Sequence, residues 1–132
     1  MRAISIERAL RLPLRLHGIQ LGQPVDVLLD PTEQRVLGFE VRCGDGSPRF
    51  VPFATVRVHD DELAVGSALV LLEEVAFYRA RSRSLRSVLG SDTGRGVVCD
   101  VLVDRDGTVT ELVVDDDGTQ RRIPAAGQRR AA

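Results

Sequence analysis

The sequence contains no lysine and no tryptophan. All 18 basic residues are arginine, and 19 acids balance them to a net charge of −1. Arginine keeps its charge and suits bidentate contacts, but a GC-rich, bacterial-type coding sequence produces the same bias without functional meaning. The small net charge provides no global field to draw the chain to nucleic acid, so nucleic-acid binding is not expected. Aromatic residues are 4% of the chain, too few for stacking platforms on single-stranded bases. The core therefore rests on Val, Leu and Ile. Two cysteines, Cys43 and Cys99, are too few for a disulfide framework and read as free thiols in a reducing compartment. No run reaches the roughly 18 apolar residues of a membrane-spanning helix, so direct membrane insertion is not expected. The first residues, MRAISIERALRLPL, are interrupted by charges and lack a signal-peptide core. A cytoplasmic location is the expectation.

What the chain does contain is a near-duplicate. Gly22 matches Gly96, and at the same offset of 74 residues Val25 matches Cys99, Asp26 matches Asp100, Val27 matches Val101, Leu28 matches Leu102 and Asp30 matches Asp104. After a turn one residue shorter in the second copy, Val36 matches Val109, Phe39 matches Leu112 and Val41 matches Val114. Val51-Pro52 matches Ile123-Pro124, and upstream LRLPL from Leu10 resembles LRSVL from Leu85. An ordered series of matches with small gaps points to an internal repeat.

Each copy reads as β-structure. Val25, Val27 and Leu29, with Cys99, Val101 and Val103 in the second copy, alternate with their neighbours at period two and are expected to face the core. DPTEQR and DRDGT supply turn chemistry, so antiparallel hairpins follow. Residues 55–58 and 63–65 add two strands to the first copy, whereas AAGQRRAA after Pro124 adds none to the second. The missing cover then comes from the first copy or from a second chain in a homodimer. Residues 67–80 read as a strand to about Leu72 followed by a helical turn, although Leu69, Leu72 and Ala76 would also share a helix face.

Gly22, VDVLLD, VLGFEV and the VPF that ends at Phe53 resemble the PRC-barrel family. This small β-barrel was named for the photosynthetic reaction-centre H subunit and also occurs in ribosome maturation factors. The resemblance spans about residues 6–72, with a weaker copy over 85–124, where Glu111 replaces the glycine matched by Gly38 and Ala125 stands where an aromatic is usual. It implies a barrel that binds other proteins, in some cases in RNA-related assemblies, with no catalytic residues.

No local pattern supplies an active site. If Gly107 is placed at position six of a calcium loop, Leu102 and Val113 occupy the ligand positions one and twelve, so DRDG reads as a turn. His17 and His59 lack a ligand cluster. The four serines between Ser82 and Ser91 lack the strand–elbow–helix setting of a hydrolase. FYRARSRSLR, from Phe77 to Arg86, is the most distinctive stretch: Tyr78, Arg79, Arg81, Arg83 and Arg86 form a basic stripe suited to an acidic partner or to phosphates. Pairing of these arginines with nearby acids is the alternative.

The expected protein is all-β: two PRC-barrel-like small β-barrel repeats, the second shortened, joined by a short helical or irregular connector. The expected divisions are 1–75, an Arg-rich connector at 76–84, 85–124, and a flexible tail at 125–132. The expected function is a non-enzymatic protein-interaction adaptor with an unknown protein partner, a possible homodimer, and neither cofactor nor metal. An accessory factor in ribosome or RNA maturation, using the Arg-rich connector, is the alternative.

Overall fold

A computed structural model describes residues 3–125. The expected tail lies outside the described residues apart from Ala125, which is buried. The chain is all-β in class, with 50% strand and 16% helix, arranged as a curled half-barrel sheet and a second sheet. The half-barrel runs β5 (Pro48–Pro52), β4 (Val36–Cys43), β3 (Ile19–Leu29), β2 (Leu14–Leu16), β7 (Leu63–Val65), β6 (Val56–Val58). The second sheet runs β1 (Ile4–Ser5), β9 (Val97–Val103), β10 (Val109–Asp116), β11 (Thr119–Pro124). Both sheets contribute to one apolar core that includes Val27, Phe39, Val51, Val101, Val114 and Ile123.

The two halves exchange short segments. Ile4 and Ser5, from the start of the chain, pair with Val103 and Leu102 of the second sheet. Arg83 and Ser84, forming β8 (Arg83–Ser84), pair with Leu29 and Leu28 of the half-barrel. Each segment continues into one helical turn, α1 (Ile6–Ala9) or α3 (Leu85–Val88), whose N-cap is that serine. Ser5 Oγ accepts from Arg8 N at 3.1 Å and donates to Asp100 Oδ2. Ser84 Oγ accepts from Arg86 N at 3.1 Å and donates to Asp26 Oδ2. The other carboxylate oxygen takes the backbone N–H of Val101 or Val27, at 2.7 and 2.8 Å. A serine hydroxyl can accept and donate at once, and an ionised aspartate only accepts, so the pair satisfies a helix start and a strand in one step. Ile6 and Ala9, and Leu85 and Val88, are buried beneath these caps. The segment corresponding to Ser5–Leu10 is therefore Ser84–Leu89, a register different from the Leu10/Leu85 match suggested by the letters.

The second aspartate of each pattern shapes the following reversal. Asp30 Oδ1 accepts from Gln34 N and Arg35 N at 2.7 and 3.0 Å, and Asp104 Oδ1 accepts from Asp106 N and Thr108 N at 2.9 and 3.0 Å. The two turns then meet: Val36 N donates to Gly107 O and Val109 N to Gln34 O, both at 2.8 Å, around an Arg35–Thr108 bridge. The Asp-Gly chemistry near Asp104 thus builds a turn that docks onto its counterpart.

Val25 and Cys99 are only half-buried, unlike Val27, Leu29, Val101 and Val103. The reason is a pair of β-bulges. Register skips Val25 between Pro24↔Val41 and Asp26↔Glu40, and skips Cys99 between Val113↔Asp100 and Val114↔Val98. An extra residue reverses the side-chain phase, so Pro24 and Val98 take the buried positions. The strands also cross closely. A Cβ at Gly22 would lie 2.6 Å from Arg42 O, and one at Gly96 would lie 2.8 Å from Asp115 O. Both cysteines are free, and burial is the main factor raising the pKa of each thiol.

Residues 67–80 differ from the strand-then-turn expectation. A 3-10 turn occupies Ala68–Val70, strand pairing shrinks to one Phe50–Leu72 bridge, and α2 (Val75–Ala80) follows.

Asp26→Ala and Asp100→Ala should each lower unfolding free energy by about 1–3 kcal/mol, since each strands a serine and a backbone N–H; urea titration measures it. Burial would raise the Asp30 carboxyl, but hydrogen bonds from Thr32, Gln34 and Arg35 outweigh it and hold the group below its ordinary value. Its folded pKa is depressed, so its contribution is present at neutral pH and lost as pH falls through that value. Asp30→Asn should be less stable than the parent at pH 7, the gap closing as acid protonates Asp30 in pH-dependent melts.

Candidate functional site

The Arg-rich stretch lies on the outer face of the half-barrel. In β4, Phe39 points into the main core, so its neighbour Glu40 faces the opposite side, where it is 7% exposed and the only buried charged residue among those described. A buried carboxylate is unfavourable unless it is paired and hydrogen-bonded. Arg79 meets that requirement from α2: its Nε donates to Oε1 at 2.8 Å and its Nη2 donates to Oε2. This bidentate fork is the strongest common geometry for such a pair. The hydrogen bonds that Arg79 donates to Glu40 are the main cause raising its pKa above its already high ordinary value.

The same face carries a small second core of Leu28, Phe50 and Val75, with Leu37, Leu72 and Tyr78 packed against it. Phe50 fits there because of Gly38. A Cβ at position 38 would lie 2.2 Å from Val51 O and 2.6 Å from the Phe50 ring. Tyr78 stacks on Phe50 with centroids 3.9 Å apart and planes at 12°. At the corresponding place in the second sheet, Glu111 and Arg122 stand 3.6 Å apart as an exposed ion pair, and no helix among the described residues covers them. The glycine-to-glutamate departure noted in the sequence is therefore the point at which the two outer faces diverge.

The remaining arginines have separate partners. Arg83, in β8, pairs with Glu33 at 3.2 Å. Arg86, in α3, donates twice to Val25 O, at 3.0 and 2.7 Å, covering the carbonyl freed by the bulge. Arg81, just past α2, donates to Phe77 O at 3.1 Å and lies over the Phe77 ring, 3.8 Å from its centroid. Phe77 contacts Tyr78 edge-on at 5.2 Å and is 50% exposed. Tyr78 and Arg79 thus anchor the helix, Arg83 and Arg86 anchor the chain that leaves it, and Phe77 with Arg81 face solvent. Glu40 and Phe50 were not singled out in the sequence. A glutamate in the outward phase of VLGFEV reads as an exposed residue, and only the helix laid over it makes it buried.

A six-residue helix without a side-chain cap has little stability alone. These contacts determine whether it forms. Among the described residues no group of His, Cys, Asp or Glu has a metal-binding arrangement. The chain matches no protein-family model, and no curated protein matches it.

Arg79→Ala should cost about 1–3 kcal/mol by leaving Glu40 buried without its partner, whereas Arg81→Ala should cost under about 1 kcal/mol. In a double-mutant cycle with Glu40→Gln, thermal melts should give a coupling of about 0.5–3 kcal/mol between positions 40 and 79.

Proposed function

We propose that this chain is a non-enzymatic protein-interaction adaptor, a cytoplasmic protein built from two PRC-barrel-like units of which the second is shortened. The matched bulges, turn aspartates and capping serines support the two-unit reading. The single observation that carries the adaptor reading is Phe77, half exposed and topped by Arg81, on a helix held from beneath by Tyr78–Phe50 and Arg79–Glu40. An aromatic and an arginine on a rigid support are the residue types that dominate binding energy at protein interfaces, and prior rigidity lowers the ordering cost of association. Among the described residues no helix is long and apolar enough to cross a membrane.

Capture from extracts of the native cell tests this reading. The full chain should retain a protein that the Phe77→Ser/Arg81→Glu variant loses, while both melt at nearly the same temperature. Identical captured proteins would remove Phe77 and Arg81 from the interface. Capture that disappears with ribonuclease, with a steep fall in RNA affinity as salt rises, would replace the adaptor with an accessory factor in RNA maturation.

A further inference from the structure

Four sheet ends have to be protected from unwanted strand pairing. At β5, Leu72 is bonded to Phe50 in both directions at 2.8 Å. At β11, Gln120, Arg121 and Arg122 are exposed and charged or polar. The other two ends, β1 and β6, share one cleft of about 940 Å³. No strand pairs with the outer side of either among the described residues.

Strand parity shows what β6 offers there. Arg57 pairs with Ala64, and His59 N donates to Glu62 O at 2.9 Å. Arg57 and His59 therefore direct their backbone groups toward β7, and the intervening Val58 directs its N–H and C=O away from β7, toward the cleft. Side chains alternate in the other sense: Arg57 is exposed, while Val56 and Val58 are partly buried beside the main core. Leu12 and Phe53 line the apolar side of the cleft.

Arg8, Arg57 and Arg105 line the cleft as well and are exposed. None of the three belongs to an ion pair among the described residues, in contrast to Arg79 and Arg83. Among the described residues Asp60 is the only carboxylate lining this space, alongside His59, and its backbone oxygen accepts from Arg8 Nη2 at 3.3 Å. An open strand edge, an apolar floor and three guanidinium groups outside any ion pair among the described residues define a consistent ligand.

We propose that this cleft binds an extended, acidic segment of a partner protein, which adds to β6 as a further strand. Residues of that segment opposite Val56 and Val58 are apolar and enter the floor. The residue opposite Arg57 is acidic, and its neighbours two positions away reach Arg8 or Arg105. The ligand is thus an alternating apolar–acidic strand, bound through main-chain hydrogen bonds for affinity and alternate side chains for specificity. This inference rests on the adaptor reading but uses a surface distinct from Phe77.

The test uses fluorescence anisotropy of a fluorescein-labelled peptide, GVEVEVG, with the full chain. Arg57→Glu should weaken binding about tenfold or more by placing like charges opposite each other. Val58→Pro should do the same by deleting the N–H that faces the cleft, while Arg57 and His59 keep their bonds to β7. Melting curves identify any variant that fails to fold, and Arg57→Glu changes an exposed side chain, so it provides an independent reading. Phe77→Ser should bind the peptide as the parent does. Binding unaffected by either cleft variant, equal binding of GVKVKVG, or preference for a single-stranded oligonucleotide would each overturn the proposal. If GVEVEVG does not bind while Phe77→Ser still loses a captured cell protein, the cleft assignment fails and the adaptor reading stands; if Phe77→Ser loses nothing and the peptide does not bind, both fail.

Discussion

The structure depends on two serine–aspartate contacts, Ser5 with Asp100 and Ser84 with Asp26, that join segments 95 and 58 residues apart in the chain. Each contact does three local jobs: it caps a helical turn, satisfies a strand N–H, and fixes a two-residue strand in a sheet built mostly by the other half. Four-residue helices such as α1 and α3 have no stability of their own. They exist because Ile6 and Leu85 are driven into the shared core on segments pinned by these contacts. The docking of the Asp30 and Asp104 turns reinforces the same coupling. Each sheet takes a two-residue strand from the other half of the chain, which ties the two halves into one core.

The outer faces of the two halves diverge where their residues differ. The half-barrel has Gly38, room for Phe50, and therefore a platform for α2 with its buried Arg79–Glu40 pair. The second sheet has Glu111 and Arg122 in that place and remains polar and open. One backbone arrangement thus carries two unlike faces, and the difference begins with whether a side chain can stand where Phe50 packs. The same logic applies to edges. Covered or charged ends resist strand addition, whereas β1 and β6 border a cleft whose arginines have no carboxylate partners among the described residues.

The arginines separate into groups by environment, not by spacing. Arg79, Arg83 and Arg86 follow one another closely in sequence yet reach Glu40, Glu33 and the Val25 carbonyl, three different elements. Arg8, Arg57 and Arg105 are far apart in sequence and line one cleft. A dense run of like charge is a strong visual signal in a sequence, but the repulsion within it is relieved when each member finds its own counterion or carbonyl. Among the described residues, the arginines left outside ion pairs are those that the fold brings within reach of no carboxylate.

By itself the sequence determined the β class, the main hairpins and the turns. Those follow from local physics: alternation of apolar residues at period two, and the few dihedrals open to Asp, Gly and Pro. The match of VDVLLD with CDVLVD located β3 and β9 and set Asp26 against Asp100. It could not say that Asp26 and Asp100 reach across to Ser84 and Ser5, because a hydrogen bond between distant segments leaves no local pattern. It also placed Val25 and Cys99 inward, since a bulge depends on two strands failing to keep step and neither strand records that alone. Only the tertiary structure decided that Glu40 is buried, that the arginine stripe is largely occupied, and that two sheet edges face one cleft, because burial and charge pairing are properties of what lies opposite a residue in space.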